Sequence, residues 1–456
     1  MDPVVAALRG ALPPGAVLTD PEATDRYRRD HAALVEGGVP RAVARPPDTA
    51  GVQAVMRIAA AHGVPVVPRG AGSGLSGGAA ALEGGIVLST EAMTRIIAID
   101  PSDMVARVEA GVITGDLAAE AERQGLWYAP DPASKAFSTI GGNIATNAGG
   151  LCCVKYGVTR ESVLALTVVL ADGRRVDLGG STIKRVAGLD LLSLVVGSEG
   201  TLGVVTEATL RLRPRPSEPL TAAAYFPDLA SAGRAVEAIA RAPIAPSLVE
   251  LIDRATLAAV EDWRRLDLDL EAAALLLVQS DMPGDARHRE VGIAARCCEE
   301  AGATLVVTAD DEADSRMLME VRRLCFPALE RAGATLLEDV GVPRGRVAAL
   351  LERIEGVAAA TGARIATFGH AGDGNMHPTI VFDAADPAER ERALRAAGLI
   401  FEAALALGGT ISGEHGVGVL KRPWLEDEVG ADARALGLGV KAAFDPAGLL
   451  NPGRAL

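Results

Sequence analysis

Pro68, Arg69, Gly70, Ala71, Gly72, Ser73, Gly74, Leu75, Ser76, Gly77, Gly78 is the stretch on which the fold turns. It follows the apolar run Val64 to Val67, the pattern of a strand entering a turn. Read literally, Gly72 to Gly77 satisfies GxGxxG, the dinucleotide fingerprint. That fingerprint works by aiming the N-terminus of a following helix, about ten residues long or more, at a pyrophosphate. Here Gly84 and Gly85 intervene, and Ile86 to Ser89 reads as another strand. Consecutive glycines can still offer backbone amides to a phosphate without a helix, as an anion-binding nest. The loop therefore reads as phosphate-binding and non-Rossmann, with a flexible hairpin connection as the plainer alternative.

Outward from it lie two more tracts of small residues. Pro130, Asp131 and Pro132 lead to Ser138, Thr139, Ile140, Gly141, Gly142, Asn143, Ile144, Ala145, Thr146, Asn147, Ala148, Gly149, Gly150, and the tract runs on to Gly157. Two asparagines among glycines suggest backbone that approaches a ligand closely, with amide side chains able to pair with a ring edge. The third tract is Gly197, Ser198, Glu199, Gly200, Thr201, Leu202, Gly203, Val204, Val205, Thr206.

Between these tracts the patterning gives mixed elements. Val52, Val55, Met56 and Ala59 mark a helix over Asp48 to Gly63, ended by its glycine. Arg95 to Ile99 and Val105 to Gly111 make a hairpin about Pro101 to Asp103. Thr114 is expected to cap a helix over Gly115 to Gly125, and Leu164 to Leu170 and Val176 to Leu178 make a second hairpin about Asp172 and Gly173. Arg213 to Pro219, with three prolines, is the natural domain boundary. Beyond it longer helices alternate with strands, as in Leu275 to Gln279, Ala286 to Ala301 and Leu305 to Thr308.

A chain of 456 residues exceeds one ordinary core, so two or three domains are expected. A formal charge of -14 argues against nucleic acid or anionic lipid as the main partner, because both demand a basic surface. Met1 to Gly10 lacks the charged stretch and apolar core of a secretory signal. The longest apolar runs, such as Ala272 to Val278, fall far short of the roughly 20 residues of a membrane span. Cytoplasm is the expected compartment. Cys152, Cys153, Cys297, Cys298 and Cys325 match neither a disulfide framework nor the spacing of an iron-sulfur or structural zinc site, and read as buried reduced thiols.

The other chemical signal lies between Gly369 and Gly418: His370, Asp373, Asn375 and His377, then Glu414 beside His415. Ala363 to Phe368 and Pro378 to Phe382 read as antiparallel strands, so Gly369 to His377 is expected to be a tight turn bringing His370 and His377 together. Two histidines and a glutamate form an open divalent-metal set that leaves positions for substrate oxygens, and Zn, Mn and Fe all accept it. His415, next to Glu414 and among glycines, suits a general base. Surface histidines, or core histidines with satisfied partners, are the bland alternative.

With these motifs in hand, the chain resembles the FAD-linked oxidases of the vanillyl-alcohol oxidase type, whose flavin domain is also described as para-cresol methylhydroxylase-like. The segments His370 to His377 and Ser412 to Gly418, and the ending Phe444 to Arg454, are similar to the glycolate oxidase flavoprotein subunits and D-lactate dehydrogenases within that family. The resemblance implies an α+β chain. A two-subdomain FAD-binding domain would span residues 1–215, a substrate or cap domain with the metal site 216–432, and a tail returning to the flavin 433–456. It assigns the flavin to Pro68, Gly70, Ala71, Gly72, Ser73, Gly74, Leu75 and Ser76 in the first tract. In the second it assigns Pro130, Asp131, Thr139, Gly141, Gly142, Asn143, Ala145, Asn147, Gly149, Gly150 and Gly157. In the third it assigns Glu199, Gly200, Gly203 and Val205, with Asn451 from the tail. No histidine lies between His62 and His288 to bind the flavin covalently, so non-covalent FAD is implied.

The same resemblance implies a mechanism. A 2-hydroxy acid chelates a divalent metal, zinc first with Mn or Fe as alternatives, held by His370, His377 and Glu414. His415 takes the hydroxyl proton as hydride passes to the flavin. Arg322 matches the family arginine that pairs with the substrate carboxylate, with Arg323 as competitor. Leu337 and Thr379 stand where 2-hydroxyglutarate-oxidising relatives carry a lysine and an asparagine, so glycolate or D-lactate is expected over D-2-hydroxyglutarate. Electrons would leave to a quinone, an iron-sulfur partner subunit, an electron-transfer protein or oxygen, in a homodimer or hetero-oligomer that could bring the chain to a membrane. A zinc hydrolase would use the same ligands but gives the glycine tracts no role. A non-catalytic flavin-binding scaffold would keep those tracts and needs no metal.

Overall fold

The computed structural model describes residues 2–456, which form two compact units. One comprises the chain up to Gly150, Gly157–Arg215 and Glu414–Leu456; the other comprises Leu151–Tyr156 and Pro216–Gly413. The returning segment thus starts at Glu414, ahead of the expected 433, and the short stretch Leu151–Tyr156 packs with the second unit.

In the first unit, Val66–Arg69 and Ala42–Ala44 both lie parallel to Ile86–Ser89, with Val17–Leu18 antiparallel at the edge. The connection between Val66–Arg69 and Ile86–Ser89 contains no helix, which is why the GxGxxG match is not a Rossmann turn. Helix Thr49–His62 covers this sheet. Asp48 accepts the Gly51 N–H at 2.8 Å, Gly63 closes the helix in the left-handed region at φ 62, and Val52, Val55, Met56 and Ala59 are fully buried against the strands. A second, five-stranded antiparallel sheet runs in the order Ile96–Asp100, Val105–Glu109, Val204–Arg211, Val163–Val169, Arg175–Gly179. Both expected hairpins are present in it.

Two local expectations need correction. Thr114 does not cap its helix, which spans Thr114–Arg123 after Ile113. Its buried hydroxyl instead donates to the Ser138 carbonyl and accepts from the Asn143 amide, tying the helix to the second glycine tract. That tract is also less irregular than its glycines suggest. Ile140–Thr146 is a short helix, with Thr139 accepting the Gly142 N–H and Asn147 ending it at φ 53. Its glycines serve close packing: a Cβ on Gly141 would lie 2.7 Å from that of Ala110.

The second unit is built on an eight-stranded, wholly antiparallel sheet. Leu305–Thr308, Leu220–Phe226, Ala274–Ser280, Leu248–Asp253, Arg364–His370, Asn375–Phe382 and Ala334–Leu337 follow one another, and Val340–Gly341 also pairs with Asn375–Phe382. Helices Arg254–Arg264 and Glu320–Ala332 pack on it through Leu257, Val260, Val321, Cys325, Ala328 and Leu329, the i, i+4, i+7 stripe of an amphipathic helix. The strands flanking the histidines run further than expected, so the turn shrinks to residues 371–374. His370 and His377 are strand residues, opposite Asn375 and Phe368 respectively.

Candidate active site

In the second unit the site is built around an acid in an apolar strand. Glu250 sits within Leu248–Asp253, flanked by Val249 and Leu251, and is fully buried. Its carboxylate accepts from Arg322 Nε at 2.5 Å and faces His370 Nδ1 at 2.5 Å. Burial pushes its carboxyl up, but the charges of His370 and Arg322 and their hydrogen bonds outweigh burial and hold it down at about 2. An ionised Glu250 keeps the proton on His370 Nδ1, so in the neutral imidazole Nε2 carries the lone pair that a cation needs.

The His377 ring lies 5.0 Å from that of His370, nearly perpendicular to it, and both are buried. Asp339 Oδ1 stands 4.0 Å from His377 Nδ1, and Asp339 Oδ2 accepts from Ser412 Oγ at 3.0 Å. Gly413 lies so close to the Asn375 side chain that a Cβ there would come within 2.5 Å of it. Glu414 follows by one peptide bond. The Asn375 Oδ1 is buried with no hydrogen-bond partner among the described residues, an acceptor that a bound ion or its water would satisfy. Two buried imidazoles beside such an oxygen fit a divalent cation.

Arg322 and Arg323 separate clearly. Arg322 reaches Glu250 and lies 4.8 Å over the Phe368 ring, whereas Arg323 is exposed. Leu337 and Thr379 are register partners across two strands, so they share a face, and Thr379 shares it with His377 two residues earlier.

In the first unit the three glycine tracts converge. A Cβ on Gly70 would lie 2.3 Å from Thr139 Oγ1, one on Gly200 (φ 72) 3.1 Å from Pro68, and one on Gly150 2.5 Å from Asp131. Asn451 donates to the carbonyls of Gly78 and Glu199, at 2.9 and 2.7 Å. Its Oδ1, like Ser138 Oγ, is buried and has no hydrogen-bond partner among the described residues. Orphaned oxygens beside side-chain-free backbone are what a polar ring system would occupy, so these residues fit a flavin.

Other residues expected to touch the flavin also make hydrogen bonds within the first unit. Ser76 Oγ donates to the Gly416 carbonyl at 2.8 Å, and the Glu199 carboxylate accepts the N–H groups of Val417 and Gly418. The Ala145 carbonyl accepts from the Glu199 N–H, and Asn147 Oδ1 accepts from the Arg160 N–H. His415 stands at the start of this tethered loop, its Nε2 3.7 Å from Glu414 Oε1. The sequence reading missed Glu250 and Asp339 as site residues. An acid within Leu248 to Ile252 was the available signal for the first.

Comparison with known proteins gives this arrangement its class. A family model described as FAD linked oxidases, C-terminal domain, matches residues 215–455, and one described as FAD binding domain matches 40–179. The chain belongs to the FAD-linked oxidases. It is 44% identical to the glycolate oxidase subunit GlcD of Bacillus subtilis over 91% of this chain and 89% of that one. To the D-lactate dehydrogenase of Anaerostipes hadrus it is 35% identical, over 97% and 95%. The solved structure of p-cresol methylhydroxylase with substrate bound shares the fold at a TM-score of 0.83 and 19% identity, covering 99% of this chain and 96% of that one. The protein is an FAD-dependent oxidoreductase acting on 2-hydroxy acids. Among the described residues no helix is long and apolar enough to cross a membrane.

Proposed function

We propose that the chain oxidises a small 2-hydroxy monocarboxylic acid, glycolate or D-lactate, to its 2-oxo acid. The observation that carries this reading is Glu250, which joins His370 and Arg322 into one buried group next to His377. A nitrogen able to bind a cation and a guanidinium able to bind a carboxylate thereby share one acid. In this reading His370, His377 and Glu414 hold a divalent cation, zinc or alternatively Mn or Fe. Bound non-covalently, FAD supplies the two-electron acceptor, and the cation supplies Lewis acidity toward the substrate hydroxyl.

The chain's own residues do the rest. Arg322, its Nε turned to Glu250, offers its terminal nitrogens to the substrate carboxylate. His415 takes the hydroxyl proton on a ring nitrogen. Leu337 and Thr379 face the substrate's side chain and offer a second carboxylate neither cation nor amide, which favours glycolate or D-lactate over D-2-hydroxyglutarate. Electrons then leave to a quinone, an electron-transfer protein or an iron-sulfur partner subunit. The last draws support from the relative's being named a subunit. We place the chain in the cytoplasm, with any membrane contact made through such a partner.

Anaerobic bleaching of the flavin by a panel of hydroxy acids, before and after chelation, tests this reading. D-lactate or glycolate should bleach it, and chelation should abolish bleaching until metal is restored. Faster reduction by D-2-hydroxyglutarate than by both would overturn the substrate assignment. Undiminished bleaching after verified metal removal would overturn the role of the cation.

A further inference from the structure

We infer that Glu199 is a positioning residue for His415, acting through the backbone of the loop that follows the histidine. This rests on the proposed role of His415 as base. Glu199 is buried, at 8% exposure, and its two carboxylate oxygens divide the loop between them. Oε1 accepts the Val417 N–H at 2.7 Å and Oε2 accepts the Gly418 N–H at 2.9 Å. Its own backbone is fixed at both ends: the N–H donates to the Ala145 carbonyl at 2.7 Å and the carbonyl accepts from Asn451 at 2.7 Å. The second flavin tract, the C-terminal tail and the base-bearing loop are thus joined through one residue.

Two features mark this as more than a buried acid finding partners. Glu199 holds φ 50, between Gly197 at φ 82 and Gly200 at φ 72. Glycine would adopt that left-handed conformation without strain but could not supply the carboxylate. The loop is shaped to receive it. Gly416 (φ 86) would place a Cβ 3.0 Å from the carboxylate, and Gly418 (φ 53) would place one 2.0 Å from the Ser76 carbonyl. That carbonyl accepts the N–H groups of Val419 and Leu420, while Ser76 Oγ donates to Gly416. The loop is therefore held by a carboxyl group on one side and a serine on the other, with His415 immediately before the clamped residues. Burial pushes the Glu199 carboxyl up, while Val417, Gly418 and the nearby Lys421 charge favour its ionised form.

Glu199→Gln and Glu199→Gly, both in the flavin-loaded enzyme, test the inference. Glutamine keeps the shape but sets an amide N–H against a backbone N–H. Glycine relieves the strained φ while removing both contacts, so it guards against a variant that merely fails to fold. Displacing the loop should lower kcat for D-lactate or glycolate by about 10–100-fold, the scale of a misplacement near 1 Å. It should also move the limb of the kcat pH profile that reports the base, with KM changed less than threefold and FAD content intact. An unchanged kcat and pH profile in a folded variant would overturn it, as would loss of FAD from both variants, which would make Glu199 a flavin residue. If His415→Asn itself leaves kcat intact, the base assignment fails. If His415→Asn lowers kcat and neither Glu199 variant does, this inference alone fails.

Discussion

Around Gly70, Gly141 and Thr139 the chain leaves side chains out, and around Glu250 it buries an ionised one with two ionisable partners. The first region packs its backbone so closely that added atoms would collide with Thr139 and Ala110, and it holds orphaned oxygens on Ser138 and Asn451. The second presents a carboxylate shared by an imidazole and a guanidinium, which missing atoms would disorder. A planar cofactor is bound largely by shape and backbone, where a methyl group is already too much. Polarising a small acid needs formal charge in a dry setting, where one lost partner leaves another uncompensated. The two regions should therefore fail in opposite ways.

The largest effect is expected at His415, the proposed base, which belongs to neither region. His415→Asn should lower kcat by about 10²–10⁴-fold while leaving FAD content unchanged. A drop confined to KM would show that the residue binds rather than abstracts. Next comes Glu250→Gln, which keeps the volume but gives His370 and Arg322 a poorer acceptor. Metal affinity, measured by titration into metal-free protein, should fall about 10–100-fold, the usual effect of losing the group that orients a histidine ligand. Unchanged affinity would reduce Glu250 to a packing residue. In the other region Gly141→Ala adds atoms and removes none, with its Cβ 2.7 Å from that of Ala110. FAD affinity should weaken about tenfold with metal affinity untouched, whereas equal loss of both would break the contrast between the regions.

That contrast also explains what could be read from the residues. The helix over Thr49–His62, the strand Ile86–Ser89 and both hairpins follow from periodicity and turn residues, which are local. The glycine tracts were legible as places of close backbone approach for the same reason, since such approach requires glycine at fixed places in the chain. Glu250 was not, because its meaning depends on His370 and Arg322, 120 and 72 positions away, and a lone acid in an apolar run says only that something must pair with it. The Ile140–Thr146 helix hid behind glycines whose reason is tight packing on Ala110, a tertiary fact. The pairing of Leu337 with Thr379 likewise appears only once the strand register is known.

The smallest effect lies on the same strand as Glu250 and tests whether the partner, not the strand, sets the charge. Asp253, three residues on at the end of the strand, is half-buried, and it accepts the backbone N–H groups of Thr256 and Thr367, each at 2.7 Å. Burial wins there and pushes its carboxyl up to about 6, whereas Glu250 is held at about 2. A carboxyl whose folded value is raised contributes stability that is fully present below its unfolded value, near 3.9, and is lost as pH rises through about 6. Asp253→Ser keeps an oxygen for the Thr256 N–H and removes the titration. The advantage of the wild type over this variant should therefore shrink by about 1 kcal/mol between pH 5 and pH 7, read as a fall of a few degrees in the difference between their melting midpoints. A difference that stays constant or grows with pH would mean that Asp253 is ionised throughout, and that two backbone N–H groups do for it what His370 and Arg322 do for Glu250.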